Sequence, residues 1–150
     1  QTVNLFPVVN GMSGDVYGTE LSGETQLTNW WKLKGYVSWI QMLLSTDQGV
    51  ANLGLAPALE AAVPDYTGYL QSSFDLPHEF KFDTILRYSD TARTVPLYWE
   101  LDLVLSKTIK DWEISLVGQN LLDDHHPEVA NGTTATEVQR GGYIKVTREF

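Results

Sequence analysis

Apolar and polar residues alternate along much of this chain, and the alternation is clearest in its last third. One set of alternate positions is apolar: Trp99, Leu101, Leu103 and Leu105, followed by Trp112, Ile114 and Leu116. The opposite set holds Glu100 and Asp102, followed by Glu113, Ser115 and Gln119. Because successive side chains of a strand point to opposite faces, this stretch predicts two strands with one apolar and one polar face. The pattern does not decide whether the apolar face meets a protein core or lipid.

Similar alternation predicts an all-β, antiparallel chain. The expected extended segments are roughly 2–10, 15–27, 30–44, 68–76, 79–89, 96–106, 111–122 and 139–150. Helical periodicity is weak, and only 56–63 predicts a helical turn or two, with Pro57 at the first helical position.

The predicted connections fall into two classes that alternate along the chain. The segments 27–31, 75–80 and 106–112 are short and tight. The segments 45–68, 89–95 and 123–138 are mostly longer and rich in turn residues. Tight turns at one end and longer loops at the other are typical of an up-and-down membrane barrel, although a soluble meander can also produce them.

Composition narrows the possible functions. The formal net charge of −9 argues against a nucleic-acid partner and against docking on an anionic lipid surface. Cysteine is absent, which excludes disulfides and thiolate metal sites. No run of residues reaches the roughly 18 uncharged apolar residues of a membrane-spanning helix. A chain of this kind can therefore span a membrane only with strands. The lack of an initiator Met and of a basic leader indicates a mature product or an internal fragment.

Aromatic residues recur at the two ends of the predicted strands. Trp31 and Trp39 are eight residues apart on the same face, and so are Phe80 and Tyr88. Eight tilted strand residues rise roughly 20 Å, close to the apolar band of about 25 Å in outer-membrane barrels. This spacing predicts membrane-interface aromatics at Trp31, Trp39, Phe80, Tyr88, Trp99 and Trp112. Packing at the ends of a soluble β-sandwich core remains the alternative.

Several segments resemble the C-terminal strands of TonB-dependent outer-membrane receptors. They read "FDLPHEFKFDTILRYSD", "VPLYWELDLVLSKTIKDWEISLVGQNLLDDHHPEV" and "ATEVQRGGYIKVTREF", and 14–39 resembles an earlier strand pair of the same barrels. The most distinctive part is "GQNLLD", followed by a loop and a final strand that ends in Phe. The resemblance implies a barrel of roughly 22 strands with an N-terminal plug. Such a receptor imports scarce nutrients, for example ferric siderophores or cobalamin.

The resemblance also implies a place and partners for the chain. Residues 1–150 would be a C-terminal barrel segment of about eight strands in the bacterial outer membrane. Its partners would be outer-membrane lipid, the remainder of the barrel, the plug domain, and the TonB energy-coupling complex acting through that plug. The barrel-assembly machinery would recognise an ending that includes Ile144, Val146 and Phe150. Arg148 stands where this ending commonly has an aromatic residue.

Two further sets of residues follow from the same resemblance. The lumen-facing positions would be Glu79, Lys81, Asp83, Arg87, Glu100, Asp102 and Glu113. The outer-loop positions that contact ligand would be Asp123, Asp124, His125 and His126.

The sequence predicts no metal, cofactor or catalytic site. The segment 123–128, "DDHHPE", is the only cluster that could bind a metal, since on an extended segment Asp124 and His126 can converge while His125 points away. Two ligands are too few for most metal sites, so we predict no metal and no cofactor. The carboxylates at two-residue spacing indicate a polar lining, and no nucleophile elbow or phosphate loop is present, so we expect no enzyme. The Asn-Gly pair in 131–133 is a tight-turn signal first and a glycosylation sequon second.

Two alternatives stay open on the sequence alone. The strands could close on themselves as a small outer-membrane barrel with a structural or adhesive role, its interior filled by side chains. They could instead form a soluble β-barrel that binds an apolar ligand, with the apolar face inside.

Overall fold

The described part of the chain forms an open antiparallel sheet of seven strands and a separate two-stranded hairpin. The structure, a computed structural model, describes residues 10–49, 54–131 and 134–148. The strands are β1 (Met12–Thr28), β2 (Trp31–Thr46), β3 (Tyr66–Leu76), β4 (Phe80–Ser89), β5 (Tyr98–Ile109), β6 (Trp112–Gln119), β7 (His125–Asn131), β8 (Thr134–Gln139) and β9 (Gly141–Arg148). The large sheet has the order β1-β2-β3-β4-β5-β6-β9, and the hairpin pairs β7 with β8. Neighbours in chain order are neighbours in the sheet, apart from the inserted hairpin.

The all-β, antiparallel fold class predicted from the alternation is confirmed. Every predicted segment from 15–27 onward contains a strand of the large sheet, with ends that differ by a few residues. The predicted segment 2–10 lies outside the described residues, apart from residue 10. The alternation succeeds because each strand has one polar and one apolar face.

The tight connections all lie at one end of the sheet, as predicted. The β3–β4 connection is a 3-10 turn, Pro77–Glu79, and the β5–β6 turn contains Lys110 in a left-handed conformation with φ 55°. Glu79 was expected on the wall of a strand, but it lies in this turn with φ 63°. That expectation is wrong because Pro77 fixes the turn and delays the start of β4 to Phe80.

The long connection between β2 and β3 contains the predicted helical turn. Helix α1 spans Leu55–Glu60 and begins after Gly54, so Pro57 is its third residue and not its first. Proline is tolerated there because the first-turn N–H groups have no intrahelical acceptor. The Glu60 carboxylate accepts a hydrogen bond from the backbone N–H of Leu44, which ties α1 to the end of β2.

The hairpin β7–β8 was not predicted, since 123–138 was expected to be a loop. The backbone reverses between Asn131 and Thr134, which are paired, in agreement with the Asn-Gly turn signal. The two residues between them lie outside the described residues. The pairing shifts between Pro127 and Val129, so Glu128 is an extra residue in a β-bulge. The bulge and Pro127 interrupt the alternation, which is why the sequence pattern missed this strand.

The sheet has almost no apolar core. In the described part of the chain the only buried hydrophobic residues are Ala56, Val95 and Val117. Large apolar side chains such as Leu21, Leu116 and Ile144 are exposed on an uncovered face. Among the described residues nothing covers this face, so the enclosed apolar interior of a soluble β-barrel gains no support from them. No helix in the described ranges is long and apolar enough to cross a bilayer.

Candidate functional site on the polar face

Pairing between strands arranges the polar side chains in rows across the sheet. One row contains Tyr36, Tyr69, Arg87 and Glu100, on β2, β3, β4 and β5. Another contains Lys81, Ser106, Ser115 and Lys145, on β4, β5, β6 and β9. Because residues paired across antiparallel strands point to the same side, these rows share one face, which we call the polar face. The opposite side is the apolar face.

An ionic cluster of one half-exposed arginine and two buried carboxylates lies on the polar face. Arg87 Nη1 lies 2.7 Å from Asp102 Oδ2 and 3.1 Å from Glu100 Oε1. The other Asp102 oxygen, Oδ1, accepts a hydrogen bond of 3.0 Å from the backbone N–H of Asn120. Glu100 is 8% exposed and Asp102 is 5% exposed. Carboxylates buried to this extent are costly unless paired, and the guanidinium and the amide provide that pairing.

The rest of the polar face continues this hydrogen-bonded lining. The Ser73 hydroxyl donates to Asp83, and the hydroxyls of Ser106 and Ser115 lie 2.9 Å apart in a buried pair. Lys32 Nζ lies 2.6 Å from Glu24 Oε1. A depression of about 410 Å³ between β4, β5, β6 and β9 is lined mostly by polar and charged groups of both signs. Such a surface suits water or a polar neighbouring domain and does not suit lipid.

The β7–β8 hairpin lies against this face, near the start of β5. The His126 ring stacks on the Tyr98 ring with centroids 4.2 Å apart and planes 19° apart. Tyr98 alternates with Glu100 and Asp102, so the stack lies on the polar side of β5. Arg140 forms an ion pair at the base of the hairpin, where its Nη1 lies 3.0 Å from Asp124 Oδ1.

Asn120 joins the hairpin to the sheet. It is fully buried and has φ 50°, a left-handed conformation that asparagine adopts more readily than most residues. Its backbone N–H donates to Asp102, and its side-chain Nδ2 donates to the carbonyl of Val138 at 3.1 Å. The "GQNLLD" segment therefore carries a structural junction that sequence reasoning did not assign. An asparagine directly after a strand was the available signal.

The predicted lumen-facing residues other than Glu79 lie on strands of the sheet with polar-face parity: Lys81, Asp83, Arg87, Glu100, Asp102 and Glu113. Three of them form the ionic cluster described above, and Glu113 approaches the Ser115 hydroxyl at 3.4 Å. Whether this face borders a lumen stays a prediction.

The predicted outer-loop residues lie in two different environments, three of them exposed and one buried. Asp123, Asp124 and His125 are exposed, whereas His126 is 3% exposed and packed against the sheet. Asp124 pairs with Arg140 and does not join His126 in the cluster that the structure forms. The sequence expectation that these two converge is therefore wrong, because the bend into β7 turns them to different neighbours.

His126 instead meets two carboxylates. Glu100, His126 and Glu128 each offer a ligand atom, and these atoms all lie within 4.8 Å of one another. Sequence reasoning missed this group because Glu100 lies on β5 and reaches the hairpin only through the fold. The alternation of His126 with Glu128 was the one visible signal.

The apolar face carries aromatic residues at both ends. Trp31, Phe74 and Phe82 pair across β2, β3 and β4 and stack with centroids 5.8 and 6.2 Å apart. Towards the long connections, Tyr88 and Trp99 pair with centroids 4.7 Å apart. The predicted aromatics thus fall in two groups: Trp31, Phe80 and Trp112 near the tight turns, and Trp39, Tyr88 and Trp99 near the long connections. Their role as interface anchors stays a prediction.

Two cations cover aromatic rings on the apolar face, both near the tight turns. Lys107 Nζ lies 4.3 Å from the centre of the Phe80 ring, and the Arg148 guanidinium lies 5.3 Å from the centre of the Trp112 ring. Long basic side chains at this height can extend to lipid headgroups while their stems cover apolar surface. Of the predicted ending, Ile144 and Val146 are exposed on the apolar face, and Phe150 lies outside the described residues.

Comparison with known proteins agrees with this two-faced sheet. A family model described as "Outer membrane protein beta-barrel family" matches residues 2–148. Comparisons with curated proteins and with solved structures give no match. The matched range includes every strand described above.

Proposed function

The chain belongs to the outer-membrane protein β-barrel family, and we propose that it is part of the wall of a TonB-dependent receptor for a scarce nutrient such as a ferric siderophore. Members of this family lie in the bacterial outer membrane. In this proposal the apolar face of the chain is in contact with lipid, and the polar face is turned to the inside of the barrel.

The observation that carries this proposal is that the sheet is open and that its polar face bears charged residues. Within the described residues, β1 and β9 are the two edges of the sheet and do not pair with each other. Open strand edges are not tolerated in a bilayer, so further strands are needed to complete the wall. This favours a large barrel over a small barrel closed by these strands alone, and it agrees with the sequence resemblance to TonB-dependent receptors.

The polar face suits a plug domain as its neighbour. Its groups have both signs and include Lys81, Asp83 and Lys145 beside the Arg87 cluster. A plug that is itself polar can exchange hydrogen bonds with such a wall without forming an apolar core. In this proposal residues 1–150 form a C-terminal barrel segment, and coupling to the TonB complex runs through the plug. The barrel-assembly machinery recognises the ending with Ile144, Val146 and Phe150.

In this proposal the long connections form the extracellular surface of the receptor. Asp123, Asp124 and His125 are exposed at the same end of the sheet as α1, where an incoming ligand first meets the receptor. Ligand choice in this proposal depends on this end together with the plug.

Nutrient uptake tests the proposal directly. Iron-starved cells of the source bacterium, given radioactive iron bound to their own secreted siderophores, are compared with cells in which the gene is deleted. We expect deletion to lower uptake, and a protonophore to reduce uptake in the parent strain to the level of the deletion strain. A plasmid copy restores uptake in the deletion strain. Equal, protonophore-resistant uptake in both strains would contradict a role in siderophore import.

A further inference from the structure

We propose that Glu100, His126 and Glu128 bind a divalent transition-metal ion of the Zn²⁺ type, and that this ion ties the β7–β8 hairpin to strand β5. The three ligand atoms lie within 4.8 Å of one another. Three protein ligands around one ion, with a remaining position for water, is a common arrangement for zinc.

The state of His126 is the first reason for this proposal. The residue is 3% exposed, and within the described residues neither Nδ1 nor Nε2 has a hydrogen-bond partner. A buried imidazole without partners is costly, because both nitrogens have lost their hydrogen bonds to water. A metal ion would satisfy one nitrogen. The stack on Tyr98 holds the ring in place beside the two carboxylates.

The distances favour a shared ion over a direct ion pair. His126 Nε2 lies 3.9 Å from Glu128 Oε1. A charge-assisted hydrogen bond would be about 2.7–2.9 Å long. Ligand atoms bound to the same zinc ion at about 2.0 Å are roughly 3.3 Å apart when the geometry is tetrahedral. The His126–Glu128 separation exceeds that value by about 0.6 Å, and all three ligand atoms lie within 4.8 Å of one another, so a shared ion requires the side chains to move closer together.

The charge around the group matches a divalent cation. Glu100, Asp102 and Glu128 contribute three negative charges, and Arg87 contributes one positive charge, which leaves a local charge of −2. Arg87 approaches Oε1 of Glu100, and a carboxylate has a second oxygen that can face an ion. The adjacent pair, Asp124 and Arg140, is neutral overall.

The chemical types of the three proposed ligands, one imidazole and two carboxylates, indicate which metal ion the site prefers. Imidazole with carboxylates suits Zn²⁺ and neighbouring first-row ions, whereas Ca²⁺ and Mg²⁺ prefer sites made entirely of oxygen. The bulge at Glu128 is also in accord with a site, because bulges often redirect a side chain next to a functional group.

Zinc binding to the intact protein in detergent tests the proposal. Bound metal per chain is measured after dialysis against Zn²⁺, and affinity is measured by calorimetry. We expect Glu128→Gln and His126→Phe each to bind one ion fewer per chain, because each change removes one of the three direct ligands. His126→Phe keeps an aromatic ring against Tyr98, and Glu128 is 42% exposed, so neither change removes packing from the sheet. Heat-modifiable gel migration confirms that each variant is folded.

His125→Ala is the matched control, because His125 is the exposed neighbour and belongs to no ligand group among the described residues. It is expected to bind zinc like the parent protein. A second readout is amide hydrogen exchange in β7 and β8, which Zn²⁺ should slow in the parent and in His125→Ala but not in Glu128→Gln. Unchanged zinc binding in His126→Phe and Glu128→Gln, or loss of binding only in His125→Ala, would overturn the proposal.

Discussion

Leu103→Arg is expected to lower the free energy of unfolding of the intact protein in lipid vesicles by about 2–4 kcal/mol. Leu103 lies in the middle of β5, where it pairs with Thr84 on β4 and Gly118 on β6. The aromatic groups of the apolar face lie above and below it, so we expect its side chain to meet the centre of the bilayer. A guanidinium at that depth cannot reach water without distorting the lipid. Urea titration in phosphatidylcholine vesicles measures the loss.

Val104→Arg is the matched control for this prediction. Val104 is the next residue on the same strand, at the same depth but on the polar face, and it pairs with Asp83 and Val117. The depression of about 410 Å³ beside it offers room, and Asp83 offers a partner. We expect a change below about 1 kcal/mol, as is usual for ion pairs in contact with water. A larger loss for Val104→Arg than for Leu103→Arg would mean that the faces are assigned the wrong way round.

Asp102→Leu is expected to cost about 2–4 kcal/mol, which is less than for a fully buried pair because the Arg87 side chain is 39% exposed. The change removes the closer of the two carboxylates that Arg87 contacts, leaving Glu100, and it removes the acceptor of the buried backbone N–H of Asn120. Because Asn120 also holds the hairpin through Val138, the hairpin should loosen as well. Urea titration gives the free energy, and hydrogen exchange in β8 reports the loosening.

A double-mutant cycle separates the Arg87–Asp102 pair from general damage. The single variants Arg87→Leu and Asp102→Leu are compared with the double variant, and a coupling free energy of about 1.5–3 kcal/mol is expected. A coupling near zero, with fully additive losses, would show that the short distance between Arg87 and Asp102 contributes little to stability.

The strands could be predicted from the sequence because a two-residue alternation survives wherever each face has one environment. In β5 and β6 that condition holds from Trp99 to Leu116, and the predicted and observed strands agree. The tight turns were found for a related reason, since each is short and carries turn-forming residues. Among the described residues most of the apolar face is left uncovered, so little tertiary packing overrides local preference there, which helped the prediction.

The hairpin, the Glu100, His126 and Glu128 group and the position of Glu79 could not be predicted, because they depend on backbone geometry and on contacts between distant parts of the chain. The hairpin β7–β8 was missed because Pro127 and the bulge at Glu128 break the alternation. The Glu100, His126 and Glu128 group needs Asn120 to turn the chain and the hairpin to fold back on the sheet. Glu79 was assigned to a strand because its spacing from Lys81 fits, whereas the left-handed turn that contains it is set by backbone geometry.

Cysteine labelling tests most directly which side of the sheet meets lipid. The chain has no cysteine, so single cysteines at Leu103 and Val104 can be compared in the assembled protein on a background free of other cysteines. We predict that a small charged, water-soluble thiol reagent modifies the cysteine at 104 and leaves the one at 103 unmodified. A membrane-soluble reagent is expected to modify the cysteine at 103. Rapid modification at 103 by the charged reagent, with protection at 104, would contradict the placement of the apolar face in lipid.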